Sequence, residues 1–173
     1  MIIENNGTDS CVLTIPVKIP RTIDSEKGFE VILETTWIGG DENKGFGLII
    51  GRGERNCYKF TLSNNGYFSI FGWDYLKFFT LHNTNPVMLG WKKYDFINTG
   101  AGAKNVIRVL LLPVDSRVYG MFVVYVNDVM VTRNVYFLNS NSVYQFEKDG
   151  VIGVYSYGKQ NVAFNKLTFA EWE

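Results

Sequence analysis

The chain has 173 residues, 46% of them hydrophobic and 20% charged, so it carries enough apolar surface to bury a core and too much to stay globally disordered. Its 17 basic and 17 acidic residues cancel to zero net charge, which argues against a nucleic-acid or anionic-membrane surface built on bulk charge. The outlying figure is an aromatic content of 16%, from 10 Tyr, 13 Phe and 4 Trp.

Helical periodicity is almost absent, and period-two alternation recurs from end to end. Val12 to Val17 opens the series, and Pro16, which cannot donate to a ladder, predicts an edge strand. Phe29, Val31, Leu33, Thr35 and Trp37 share one face of the next strand, with Glu30, Ile32, Glu34 and Thr36 on the other. Gly39 to Asn43 reads as a turn, followed by a strand at Phe46 to Ile50. Tyr58, Phe60 and Leu62 alternate with Lys59, Thr61 and Ser63. Asn64-Asn65-Gly66 is then the strongest hairpin turn, since Asn and Gly tolerate positive φ. Tyr67 to Phe71 returns as the partner strand, and Tyr75 to Thr80 is one more.

Residues 81 to 103 read as loop. Val106 to Leu112 and Val118 to Val126 are apolar and β-branched, hence central strands. Asn127-Asp128 is a second tight turn before Val129 to Thr132. Residues 134 to 149 are irregular, with room for one helical turn, and Gly150 to Tyr155 and Val162 to Phe169 finish the chain. Ten to twelve short strands with regular turns, and no linker or repeat, predict one all-β domain over residues 1–173, an antiparallel β-sandwich or barrel. No apolar run reaches the roughly 18 residues that span a bilayer as a helix, so no membrane partner is expected. The N-terminus lacks the basic and apolar regions of a signal peptide. The expected location is therefore cytoplasmic if the chain is full length and extracellular if it is a mature fragment. Cys11 and Cys57 read as two free thiols.

Several ordered segments resemble the concanavalin A-like lectin/glucanase jelly roll, in its laminin-G-like and 3-keto-glycoside-hydrolase-like branch. They are Gly45 to Arg52, Tyr58 to Ile70, Trp91, Asn105-Val106-Ile107-Arg108-Val109, Tyr125-Val126-Asn127-Asp128 and Gly150-Val151-Ile152-Gly153-Val154. The resemblance spans roughly residues 28 to 170. Asn127-Asp128 stands where that branch usually has Asn-Gly, a conservative change for a turn. The resemblance implies a concanavalin A-like β-sandwich. It leaves function open among sugar-binding modules, adhesive modules and a minority of glycoside-active enzymes.

Catalytic constellations are sparse. Glu30 and Glu34 are the nearest carboxylate pair, but four strand steps separate their Cα atoms by about 13 Å. Glycoside hydrolysis wants carboxyl groups about 5–9.5 Å apart. His82 is the sole histidine, with no Ser or Cys signature beside it, and one His with two distant Cys lacks zinc spacing. No phosphate-binding loop exists, and Gly45-x-Gly47 and Gly51-x-Gly53 read as bulge or close-packing glycines. No cofactor is expected; Asp41-Glu42-Asn43 and Asp74 are the oxygen donors calcium would use if any is bound.

The aromatic residues are the stronger lead, because sugar rings stack their C–H faces on Trp and Tyr. Phe29, Trp37, Phe46, Tyr58, Phe60 and Phe68 follow the inward period and need no functional account. Arg52, Lys59, Tyr67, Phe71, Trp73, Tyr75, Trp91 and Tyr94 fall off that period or in loops and form the candidate ligand-binding set, although each aromatic has a core role as its alternative. The leading expectation is a non-catalytic module binding a glycan or polysaccharide. The alternatives are a protein-interaction or structural module, in which the partner is a protein or a second copy, and a glycoside-active enzyme.

Overall fold

A computed structural model of the chain describes residues 1–17, 28–53, 56–74, 77–80, 90–113, 119–137 and 150–172. Its thirteen strands are β1 (Ile2–Asn5), β2 (Ser10–Val17), β3 (Gly28–Gly40), β4 (Gly45–Gly53), β5 (Asn56–Ser63), β6 (Tyr67–Asp74), β7 (Lys77–Thr80), β8 (Lys92–Lys93), β9 (Lys104–Pro113), β10 (Tyr119–Val126), β11 (Val129–Phe137), β12 (Gly150–Tyr157) and β13 (Gln160–Trp172). They form two antiparallel sheets. One has six strands in the order β1-β13-β3-β9-β10-β11. The other has seven, β2-β12-β4-β5-β6-β7, with β8 added on β6.

Alternation places the core. Phe29, Val31, Leu33 and Trp37 of β3 meet Phe46, Leu48 and Ile50 of β4, and Tyr58, Phe60, Leu62, Phe68 and Ile70 of β5 and β6, in one buried cluster between the sheets. All six aromatics assigned to the inward period are at most 9% exposed. Pro16 lies on β2, an edge strand, where the missing N–H costs no ladder bond.

Some expectations need correction. β1 escaped notice because four residues are too few for a period; it is held by pairing with β13. β11 runs to Phe137, past the expected end of that strand, while residues 138–149 and His82 lie outside the described residues. Gly39 and Gly40 belong to β3, and the turn begins at Asp41. At the β5–β6 turn only Gly66 takes positive φ (89°), with its N–H donating to the Ser63 carbonyl; Asn64 and Asn65 do not need it. Asn127 and Asp128 do, at φ 50° and 64°, as a two-residue turn of the primed kind demands.

The segments carrying the family resemblance have a structural task. The Asn127 amide donates to the Phe96 carbonyl at 2.8 Å and to Asn105 Oδ1 at 2.7 Å, while its own oxygen accepts from Val106 N–H at 2.9 Å. Asn105 in turn donates to the Asn98 carbonyl and accepts from Asn98 N–H, both at 2.9 Å. The β10–β11 turn, the start of β9 and the loop before it are thereby clasped together. Buried backbone groups that no ladder can reach find partners there.

Removing either amide strands several of these groups. Asn105→Ala and Asn127→Ala are each expected to lower stability by about 2–3 kcal/mol, read as a lower urea midpoint at unchanged slope. A change below about 0.5 kcal/mol would show the clasp to be idle. Asp128→Gly removes the side chain that disfavours positive φ and is expected to raise the midpoint by up to about 1 kcal/mol in the same assay.

Candidate functional site

β4, β5 and β6 bury one side-chain set in the core, so the other set faces outward from the seven-stranded sheet. Register aligns these outward positions: Ile49 opposite Lys59 opposite Phe71, and Gly47 opposite Thr61 opposite Ser69. β12 adds Tyr155 opposite Gly47 and Gly153 opposite Ile49. This face has two kinds of surface.

One part is closed. Ile49 and Cys57 are fully buried and Tyr155 nearly so, forming a small second cluster, and Thr61 and Ser69 are buried as well. Thr61 and Ser69 share the outward parity of Lys59 and Phe71, but their burial withdraws them from direct contact with solvent. The Tyr155 and Thr61 hydroxyls are hydrogen bonded to each other, and the Lys59 ammonium lies 5.0 Å from the Tyr155 ring centroid. Burial drives the Tyr155 phenol far above the usual tyrosine range, outweighing the Thr61 hydrogen bond that lowers it.

The other part is open. Trp91 is 43% exposed, the core role weighed for it notwithstanding. Its ring meets the half-buried Phe71 edge-on at 5.5 Å between centroids. Gly45 makes room beneath it: a Cβ there would come within 2.6 Å of Thr61 Cγ2 and 3.2 Å of Trp91 Cη2. Any other residue at position 45 would have to displace Thr61 and crowd the indole. The close-packing role read for this glycine is therefore the observed one. Gly51 and Gly53 likewise bracket a shift in the β4–β5 register.

The remaining candidates divide. Tyr67 is half-buried on β6, across from Lys93 of β8. Tyr94 packs against the core, its ring 5.0 Å from Phe96, and partial burial raises its phenol above the usual range. Arg52 and Trp73 have described backbone in β4 and β6, with Trp73 paired to Cys57 and Phe78, but their side chains lie outside the described residues. Tyr75 lies outside them altogether. The structure thus brings Lys59, Tyr67, Phe71 and Trp91 to one face. Sequence reasoning passed over Tyr155, Tyr157, Lys44 and Lys93. Tyr155 and Tyr157 could have been found, since they alternate with the inward Ile152 and Val154.

The carboxylate pair weighed for catalysis is on the other sheet. Glu30 is ion-paired to Arg108, whose guanidinium lies 5.4 Å from the Tyr125 ring centroid, and Glu34 is 3.9 Å from the Lys166 ammonium. Both carboxylates are engaged in cross-strand charge pairs. Among the described residues no group of three or more His, Cys, Asp or Glu could hold a metal ion, and Asp41 is occupied by Lys44 at 3.9 Å. Cys11 is exposed and Cys57 buried, and the two do not form a disulfide.

No protein-family model matches the chain, and no curated protein matches it in sequence. Solved structures match in fold. The carbohydrate-recognition domain of Emp46p aligns with a TM-score of 0.62 at 9% identity, covering 96% of this chain and 80% of that one. The carbohydrate-binding module CBM66 from Bacillus subtilis aligns at 0.55 and 13% identity, covering 95% and 96%. Sheep galectin-11, in complex with glycerol, aligns at 0.51 and 9% identity, covering 91% and 96%. The likeness is one of fold: the chain has the two-sheet antiparallel jelly-roll sandwich of these domains.

Tyr155 supplies a test of the closed part. An unfolded tyrosine ionises near its ordinary value of about 10, whereas folded Tyr155 holds its proton above that. Its contribution to stability is therefore present below that pH and is lost as pH rises through and beyond it. Tyr155→Phe is expected to weaken the fold at neutral pH by about 1–2 kcal/mol, by leaving the buried Thr61 hydroxyl only its long bond to the Lys59 carbonyl at 3.4 Å, and to flatten the loss of stability between pH 9 and 11. Equal alkaline slopes for the two proteins would contradict the burial argument.

Proposed function

We propose that the protein is a non-catalytic module that binds a glycan through the open part of the seven-stranded sheet. The observation that carries this reading is the Trp91–Phe71 pair seated over the bare Cα of Gly45, with Lys59 beside it. An exposed indole held in place by an aromatic edge offers a flat apolar face to the C–H side of a pyranose or furanose ring. Lys59 and the half-buried Tyr67 supply polar contacts for its hydroxyls. The three fold neighbours support the reading by their kind: two are named as carbohydrate-recognition or carbohydrate-binding domains and one is a galectin. Arg52, Trp73, Tyr75 and Tyr94 remain members of the proposed ligand-binding set, and the proposed partner is a glycan or polysaccharide.

Affinity electrophoresis in gels containing polysaccharides, or a glycan array, tests this. The protein is expected to be retarded by at least one glycan. Trp91→Ala is expected to abolish retardation, and Phe71→Ala to weaken it roughly tenfold by letting the indole swing free. No binding to any glycan, or binding that Trp91→Ala leaves intact, would overturn the proposal.

A further inference from the structure

We infer that the ligand of this face is an anionic saccharide, one bearing carboxylate or sulfate groups. The inference rests on the proposed glycan-binding role of the face and names the chemistry of what it takes. It comes from the way charge is distributed in a chain whose total is zero.

Three lysines stand on the elements around Trp91, besides the adjacent Lys92, whose ammonium lies over the Tyr94 ring. Lys44 immediately precedes Gly45, on which the indole sits, and its ammonium lies 5.7 Å from the Tyr157 ring centroid. Lys59 stands across the ladder from Phe71, the ring that braces the indole. Lys93 follows Trp91 by two positions on β8 and is exposed across from Tyr67. Among the described residues Lys44 is paired with Asp41 at 3.9 Å, and no ion pair is made by Lys59 or Lys93. The outward positions of β4, β5, β6 and β12 carry no Asp or Glu from Gly45 to Gly51, from Cys57 to Ser63, from Tyr67 to Phe71 or from Val151 to Tyr157.

The opposite face of the molecule differs. There Glu30 and Glu34 lie among Arg108 and Lys166 and are paired with them. Acid and base pair on the six-stranded sheet, whereas among the described residues the outward strand positions beside the exposed indole carry lysine and no acid. Lysine is a compact point charge that reaches either a carboxylate or a sulfate on a flexible stem. Two of these ammonium groups already lie over aromatic rings, Lys59 on Tyr155 and Lys44 on Tyr157. Such placement limits their freedom and leaves the charge directed along the face. A sugar stacked on Trp91 with an acidic substituent would meet one of the three.

The full chain, titrated calorimetrically with oligogalacturonate, heparin oligosaccharide and neutral xylo-oligosaccharide, decides the matter. Support is tighter binding of either anionic probe than of the neutral one, with affinity falling roughly threefold to tenfold as NaCl rises from about 50 to about 300 mM. Lys59→Gln and Lys93→Gln should each weaken that binding about threefold to tenfold. Lys166→Gln, on the other sheet, should leave it unchanged, and Trp91→Ala should abolish it. Binding of oligogalacturonate, which carries carboxylates alone, assigns the carboxylate, and binding of heparin oligosaccharide without binding of oligogalacturonate assigns the sulfate. Neutral probe bound as tightly and without salt dependence overturns the inference and leaves the glycan-binding reading standing. Anionic binding that survives Trp91→Ala, or that Lys166→Gln weakens as much as Lys59→Gln, also overturns it, as diffuse charge attraction. Absence of all saccharide binding overturns both.

Discussion

The stretch of chain that follows Trp91 and β8 is held by two asparagines that never touch the indole. Asn127 donates to the Phe96 carbonyl and Asn105 exchanges two hydrogen bonds with Asn98, so the stretch between β8 and β9 is fastened at its far end to the β10–β11 turn. Tyr94 N–H donates to the Gly66 carbonyl at the near end, tying the same stretch to the β5–β6 turn. A segment with almost no ladder of its own is thus held by side-chain amides. Each amide both donates and accepts, and can satisfy backbone groups of two different segments at once. The indole itself precedes this stretch and is held by Phe71 and by the pairing of β8 with β6; such prior ordering spares a proposed stacking platform the cost of ordering at the moment of binding.

The two sheets divide their work by what their outward faces bury. On the six-stranded sheet the outward face is half-buried and charge-paired, with Arg108 joining Glu30 and lying over Tyr125. On the seven-stranded sheet the outward face buries Ile49, Cys57, Thr61, Ser69 and Tyr155 at its centre and leaves an indole and several ammonium groups toward one end. Glycine shapes that difference. Position 45 has no side chain because Trp91 and Thr61 occupy the space one would need. The same substitution that would stabilise an ordinary strand, Gly to a β-branched residue, would here displace the aromatic surface.

Much of this architecture was legible because a strand shows its two faces in its text. The β3 alternation from Phe29 to Trp37 named the core residues and the charged outward ones, and Pro16 named an edge. The asparagine-containing segments pointed to the jelly roll, and the structure gives the reason: Asn105 and Asn127 are bonded to each other at 2.7 Å across 22 positions of chain. The β5–β6 turn was placed correctly but for a partly wrong reason, since Gly66 alone takes the positive φ. β1 could not be read, because its strand character comes from pairing with β13 and not from any pattern within four residues.

The site was less legible. Period and parity determined from the sequence alone that Lys59, Tyr67 and Phe71 face away from the core, since side-chain direction in a strand is set by position modulo two. They could not determine whether an outward residue meets solvent. Thr61 and Ser69 share parity with Lys59 and Phe71, yet are buried. Nor could they bring Trp91, twenty residues past Phe71, onto that ring and over Gly45, since a loop residue has no periodic address. Local sequence decides which way a side chain points. Only the packing of distant segments decides what it meets there, because that depends on contacts whose partners lie tens of residues away.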